Sequence, residues 1–313
     1  MTRTLRLVRG AVLAALSVVG FATTFVAGGE LAHERGVTPV VLAMTRFLIA
    51  GGAMLAAGLL LPATRRSLFA LRRRDWLRLL WLGPIGTAAM AWFVFMGCAR
   101  VSVANASMAD ALTPLGIFAV SAVVTRRATP LQLLGLALGF VGALFTIQVL
   151  GPGGLRLSAY GVGDVYILAS AIVWGVYTVL GRDDIRRLGP YAFSTWTMLI
   201  GAALLLALLA IGELATGGGL VGGLTWPAGM REWCLVLVLG LFCTLLPFLT
   251  WNAAQNDLPL SVLAMSAYFT PAVAVLVDWA FSGRTVTVWQ VAGTALICAS
   301  AVVETGRDHN GEK

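Results

Sequence analysis

Two charges set in apolar surroundings are the residues best placed to do chemistry in this chain: Arg46, within PVVLAMTRFLIAGGAM, and Asp110, within NASMADALTP. A charge at the centre of a membrane-spanning helix costs about 2.5–3.5 kcal/mol on insertion scales, so one that is kept is a functional candidate. Each falls about seven residues from one end of its apolar run, roughly 10 Å deep at 1.5 Å per residue. Equal depth permits an ion pair. Burial penalises the charged form of a carboxyl, which suits Asp110 to carrying a proton. The alternatives are a structural partner for Arg46 or a carboxylate reaching the outer interface. Both residues are therefore ion-coupling candidates, with a structural role weighing against coupling for Arg46.

Other chemistries find little support. The two histidines, His33 and His309, sit in loops far apart, and no HExxH, carboxylate cluster or Ser/His/Asp set is present. Cys98, Cys234, Cys243 and Cys298 form no CxxC pair, so no metal site is expected. A Cys98–Cys234 disulfide near the outer face stands as an alternative to buried thiols. The glycines of GPGGLRLSAYGV are not followed by the GK[ST] of a phosphate loop. Neither a cofactor nor catalysis is called for.

Binding residues are easier to nominate. Phe21, Phe25, Trp92, Trp174, Tyr177 and Tyr268 are aromatics within apolar runs, the material of a concave solute site. Interfacial or lipid-facing rings are the ordinary alternative for any one of them. Trp251 lies near the end of a run and reads as an interface anchor, with Asn252 beside it able to reach a cavity mouth. Pro114 and Pro271 each remove a backbone donor inside a run, marking them as hinges. Gly135 and Gly139 form a GxxxG that favours close helix contact, within the chain or between protomers.

The elements that must hold these residues are apolar runs at roughly 8–28, 39–61, 77–97, 104–124, 130–150, 163–181, 190–211, 233–251, 260–281 and 287–304. Each approaches the ~20 residues needed to cross a bilayer as a helix. Hydrophobic residues make up 59% of the 313, and charged ones 12%. That is about half the charged share of a soluble domain, so lipid must be the solvent for much of the surface. The fold class expected is all-α, a polytopic membrane protein. The N-terminal run reads as a retained first span rather than a signal peptide.

The net charge of +8 could suggest nucleic acid. The arginines, however, lie in short segments between runs. With ten spans and both termini cytoplasmic, sixteen of the twenty-two Lys and Arg residues fall inside, among them Arg65, Arg66, Arg72, Arg73, Arg74, Arg182, Arg186 and Arg187. Arg35, Arg100, Arg156, Arg231 and Arg284 fall outside, the bias of the positive-inside rule. No nucleic-acid partner is expected.

The chain also repeats itself. Met108, Thr113-Pro114, Arg126, Gln132 and Gly135 recur as Met265, Thr270-Pro271, Arg284, Gln290 and Gly293. Five spans per copy invert the second copy relative to the first, an arrangement that places a solute site between them. The expected halves are 1–150 and 163–304, with 151–162 an external linker and 305–313 a cytoplasmic tail.

In this order and spacing the residues resemble the ten-helix drug/metabolite transporter superfamily, specifically its EamA-type permeases. Arg46-Phe47 looks like the family's second-helix pattern. Asn105, nine residues before Pro114, looks like its fourth-helix start. Trp174-Gly175 looks like the Trp-Gly of its sixth helix, with Phe21-Ala22 equivalent in the first. The resemblance implies a cavity lined by helices one, three, six and nine, and adds Asn105 to the solute-binding candidates. Two places depart from it: Arg126-Arg127 and Gly283-Arg284 stand where the family usually has Gly-Glu, and Asp110 where it has a small neutral residue. The resemblance implies a secondary-active permease exporting small metabolites, such as amino acids, or xenobiotics by alternating access in the bacterial cytoplasmic membrane. Its partners would be a small-molecule solute, the lipid bilayer and protons, in a monomer or homodimer. A membrane-embedded lipid-modifying enzyme or a non-transporting interaction protein are the rival readings.

Overall fold

The computed structural model describes residues 2–100, 113–126, 130–146, 150–151, 154–155, 161–282 and 287–308. They are almost entirely helical: α1 (Arg3–Glu34), α2 (Pro39–Leu60), α3 (Pro62–Phe69), α4 (Arg73–Cys98), α5 (Thr113–Thr125), α6 (Pro130–Thr146), α7 (Val162–Leu188), α8 (Pro190–Ala215), α9 (Met230–Ala254), α10 (Leu260–Ser266), α11 (Phe269–Ser282) and α12 (Val288–Asp308). Where the run expected at 130–150 meets the expected linker, β1 (Leu150–Gly151) pairs antiparallel with β2 (Gly154–Leu155). Among the described residues six helices are long and apolar enough to cross a membrane: α1, α2, α4, α8, α9 and, over Val165–Leu188, α7. Asn105 and Asp110 lie outside the described residues.

Helix starts follow local chemistry. Proline opens α2, α3, α6 and α8, where its missing N–H leaves nothing unpaired. The Thr2 hydroxyl accepts from the Leu5 amide at the head of α1. The Asp75 carboxylate folds back onto the Arg72 amide (2.8 Å) at the head of α4. Between α7 and α8 the chain turns at Gly189, with φ of 83°.

Among the described residues three helices carry a wide, π-type turn: α1 at Glu30–Glu34, α4 at Pro84–Ala89 and α9 at Leu241–Leu245. In α9 the cause can be read from the sequence. Pro247 has no N–H to offer the carbonyl four residues back, that of Cys243. The Thr24 hydroxyl of α1 donates to that carbonyl instead (3.1 Å). Thr244 donates to the Leu239 carbonyl (2.6 Å) inside the same turn.

The apolar run expected at 260–281 is broken, not continuous. α10 stops at Ser266 and α11 starts at Phe269. Pro271 cannot donate to the carbonyl of Ala267, and Thr270 bonds that carbonyl from three residues on (3.0 Å). The gap expected between the runs at 190–211 and 233–251 is shorter, because α8 continues to Ala215 and α9 begins at Met230.

Packing is close. Carbons built on Gly116 and Gly175 would each meet the other helix's backbone, so α5 and α7 touch main chain to main chain. One large buried cluster joins α1, α2, α4, α7, α8 and α9. A smaller one gathers Leu136, Met265, Tyr268 and Ile297 around α6 and α12. Outward, α8 presents Leu204, Leu206, Leu208, Ile211 and Leu214, a surface suited to lipid.

Candidate functional site

A chamber of about 50 Å³ opens inside the large cluster, lined chiefly by α1, α2, α4, α7 and α9 and completed by Thr113, Ala267 and Thr270. A water needs about 10–15 Å³ on that measure, so the chamber as it stands holds a few waters and not an amino-acid-sized solute.

Its lining follows helical period. Phe21, Thr24 and Phe25 share one face of α1; Met90 and Val94 are one turn apart on α4; Ser170 and Trp174 are one turn apart on α7. Trp174 is the hub of the aromatic wall. Its ring centroid lies 5.4 Å from Phe21, 5.0 Å from Phe248 and 5.7 Å from Trp251, and Tyr177 stacks on it at 5.3 Å. Phe21 and Trp251 close the ring of contacts at 6.2 Å.

Arg46 is the cation of the chamber wall. It is 1% exposed, and its Nε donates to the Thr244 hydroxyl at 2.8 Å. The guanidinium carbon lies 5.0 Å from the ring centre of Phe47 and 5.4 Å from that of Phe95, within cation–π reach. The wide turn of α9 is what makes this possible. It places Thr244 so that its proton goes to Leu239 and its oxygen faces Arg46. Among the described residues no carboxylate forms an ion pair with Arg46. The expected partner, Asp110, lies outside them.

Phe21, Phe25, Trp174 and Arg46 thus come together around one space. Trp92 and Tyr268, expected beside them, do not line it. Met90 and Val94 face the chamber, and Trp92, two residues from each, is more than half a helical turn away. It packs on Phe93 (5.3 Å) and Tyr166 (5.8 Å). Tyr268 sits in the break between α10 and α11 and points into the smaller cluster, its hydroxyl donating to the Leu136 carbonyl (2.8 Å) and its ring against Gly139. That contact places Gly139 within the chain. Tyr177 is fully buried behind Trp174, held by Asn252 Nδ2 (3.0 Å). Asn252 also donates to the Ser194 hydroxyl (2.8 Å) and accepts from Gln255 (3.2 Å), so it is a buried bracket and not a cavity mouth. Pro114 is buried in the first turn of α5, next to the lining Thr113, and Pro271 stands just past the break. Cys98 is buried and Cys234 exposed, and no disulfide joins them.

Trp251 is the main residue the sequence reading misplaced. It is fully buried on the chamber wall, because α9 runs on to Ala254 and Phe21 and Trp174 close over it. Pro247, four residues earlier, was the available signal: an α9 bent there turns Trp251 inward.

Apolar outer surface, spanning helices and a small aromatic chamber with one charge among its described residues define a multi-pass membrane protein of the solute-carrier type. The chain belongs to the EamA-like transporter family, which it matches over residues 8–148 and again over 161–305. It is 27% identical to the aromatic amino acid exporter YddG of Ancylobacter novellus over 77% of this chain and 78% of that one. It is 27% identical to a probable terminal-alkyne amino-acid exporter of Streptantibioticus cattleyicolor over 92% and 90%. An uncharacterized transporter of Bacillus subtilis, YyaM, is 24% identical over 86% and 85%. One solved crystal structure shares the fold with a TM-score of 0.74 at 23% identity over the whole of both chains.

Proposed function

We propose that this EamA-family transporter is a secondary carrier that exports amino acids with apolar or aromatic side chains. The observation that carries the reading is the chamber itself: a fully buried guanidinium, Arg46, in a wall that carries the rings of Phe21, Phe25, Trp174 and Trp251. The guanidinium suits an α-carboxylate, and the rings suit an apolar side chain. Two relatives carry amino-acid exporter in their names, which agrees with that chemistry. The halves 1–150 and 163–304 act as two inverted five-helix units, ten spans in all, with both termini cytoplasmic. Asp110, or a proton taken up elsewhere, couples the cycle to the gradient.

The test is flux of radiolabelled L-phenylalanine in proteoliposomes. Wild type should transport it, and Arg46→Leu should lose binding while Arg46→Lys retains part of it. Arg46→Leu protein that folds and transports with unchanged KM would sink the carboxylate role. Asp110→Asn should lose gradient-driven accumulation and keep exchange. A cysteine introduced at Gly154 should be labelled from the periplasmic side, and one at Arg73 should not; the reverse pattern defeats the orientation.

A further inference from the structure

The side-chain polar atoms that are buried and find no partner among the described residues are four: Thr178 Oγ1, Arg182 Nε, Trp251 Nε1 and Gln255 Oε1. They are not scattered. Thr178 and Arg182 are one turn apart on α7, Gln255 caps the end of α9 one turn after Trp251, and the two helices pack together. Thr178, Trp251 and Gln255 are 0% exposed. The seam is stitched at its far end, where Arg182 Nη2 donates to the carbonyls of Gln255 (3.3 Å) and Leu258 (2.9 Å). It begins on the chamber wall at Trp251 and ends at the arginine-rich end of the bundle, beside Asp184 and Arg187.

Buried polar groups left without partners are a standing penalty, and most proteins avoid them. Four on one helix–helix seam, continuous with the solute chamber, point to groups that find their partners in another state of the cycle. Their chemistry says which partner. Arg182 and Trp251 offer N–H donors, one of them charged. Gln255 offers a carbonyl oxygen, and Thr178 a hydroxyl able to do either. Donors beside acceptors suit a zwitterion.

We propose that the α7–α9 seam is a loading site on the arginine-rich side, which opens to take the ammonium and carboxylate of an α-amino acid before the solute reaches the chamber. The carboxylate meets Arg182 and Trp251, and the ammonium meets Gln255 Oε1 and Thr178 Oγ1. This rests on the reading of the protein as an amino-acid carrier. It adds a second site that the chamber does not supply.

The test uses L-phenylalanine transport in membrane vesicles of the two orientations, with Thr178→Val and Gln255→Leu. For a site used from one side only, KM measured at the arginine-rich face should rise about tenfold, the worth of one good hydrogen bond. KM at the opposite face should stay within about twofold, and the melting temperature of Thr178→Val should hold or rise, because an unpaired buried polar group has been removed. Gln255→Leu also removes the bond from Gln255 Nε2 to Asn252 Oδ1, so it is read from the two KM values alone. KM shifts equal at both faces, or no shift, would overturn the loading site while leaving the carrier reading intact. So would a fall in melting temperature with unchanged KM, the mark of a seam that holds only water. Wild-type vesicles that move no L-phenylalanine would overturn both. Thr178→Val is nearly isosteric and carries the test if Gln255→Leu does not fold.

Discussion

At the arginine-rich end, α4 and α7 are joined through carboxylates almost sealed from solvent. At the other end, α1 and α9 are joined through carboxylates that stand partly in it. The first clasp pairs Arg78 with Asp184 (2.8 Å) and Arg187 with both Asp184 (2.7 Å) and Asp75, whose side chains are 5% and 3% exposed. The second pairs Glu30 with Arg231 (2.9 Å) and Arg35 (3.7 Å), and Arg35 with Glu232 (3.4 Å). Here the acids are 23% and 15% exposed. The construction is otherwise parallel. Arg74-Asp75-Trp76 opens α4 and Arg231-Glu232-Trp233 opens α9, and in each helix the wide turn begins nine residues after the acid. The same device at both ends therefore differs in depth of burial and in partners per carboxylate. Charge pairs gain strength as water is excluded, provided each charge keeps its partners. The lesson is that the two ends are unequal latches, and the end facing away from the arginines should release first.

The largest effect should come from the shared acid of the sealed clasp. Asp184→Asn leaves Arg78 and Arg187 without the carboxylate both use. Removing the buried member of a network whose cations are 35% and 45% exposed costs about 1–3 kcal/mol, between the exposed and the fully buried cases. Melting in detergent should fall clearly, and Leu180, whose carbonyl takes Arg78 Nη2 at 2.9 Å, should exchange faster. A variant melting with wild type would erase the difference between the ends.

Next is Glu30→Gln, the shared acid of the exposed clasp. Its partners are already solvated, Arg231 being 71% exposed. The expected loss is about 1 kcal/mol or less. A cysteine placed at Thr24 on the chamber wall should nonetheless be labelled faster from that end. Slower or unchanged labelling would mean that this clasp does not guard the chamber.

Much of this frame was legible in the residues. Composition and the length of the apolar runs gave the membrane class, and arginine placement marked one end. Arg46, Phe21, Phe25 and Trp174 were nominated from type and position, and all four line the chamber. What escaped was set by backbone irregularity. Wide turns in α4 and α9 and the break before Pro271 shift the facing of later residues, so Trp92 and Tyr268 point away while Trp251 points in. The clasps escaped for another reason. Each joins residues far apart in sequence, such as Arg78 with Asp184 and Glu30 with Arg231, and spacing along one helix says nothing of that.

Ionic strength offers a smaller effect that separates the ends without mutation. The Debye length falls from ~10 Å at 0.1 M salt to ~3 Å at 1 M, and exposed pairs are screened far more than buried ones. High salt should speed Thr24-cysteine labelling from the exposed end and leave exchange near Leu180 unchanged. Equal responses at both ends would show that burial is not what distinguishes them.

The smallest expected effect is the coupling of Arg35 with Glu232. They stand 3.4 Å apart with side chains 38% and 15% exposed, and Glu232 is also engaged by the Ala228 amide at 2.6 Å. An acid already satisfied by the backbone gains little from one more solvated partner. A double-mutant cycle of Arg35→Gln and Glu232→Gln should therefore return about 0.5 kcal/mol or less. Glu232→Gln alone should cost more than Arg35→Gln, since it weakens the charge-assisted bond to Ala228 at the head of α9 as well as the ion pair. A coupling as large as that of the sealed clasp would mean that the exposed end is held as firmly as the other. The order of release drawn from their burial would then be wrong.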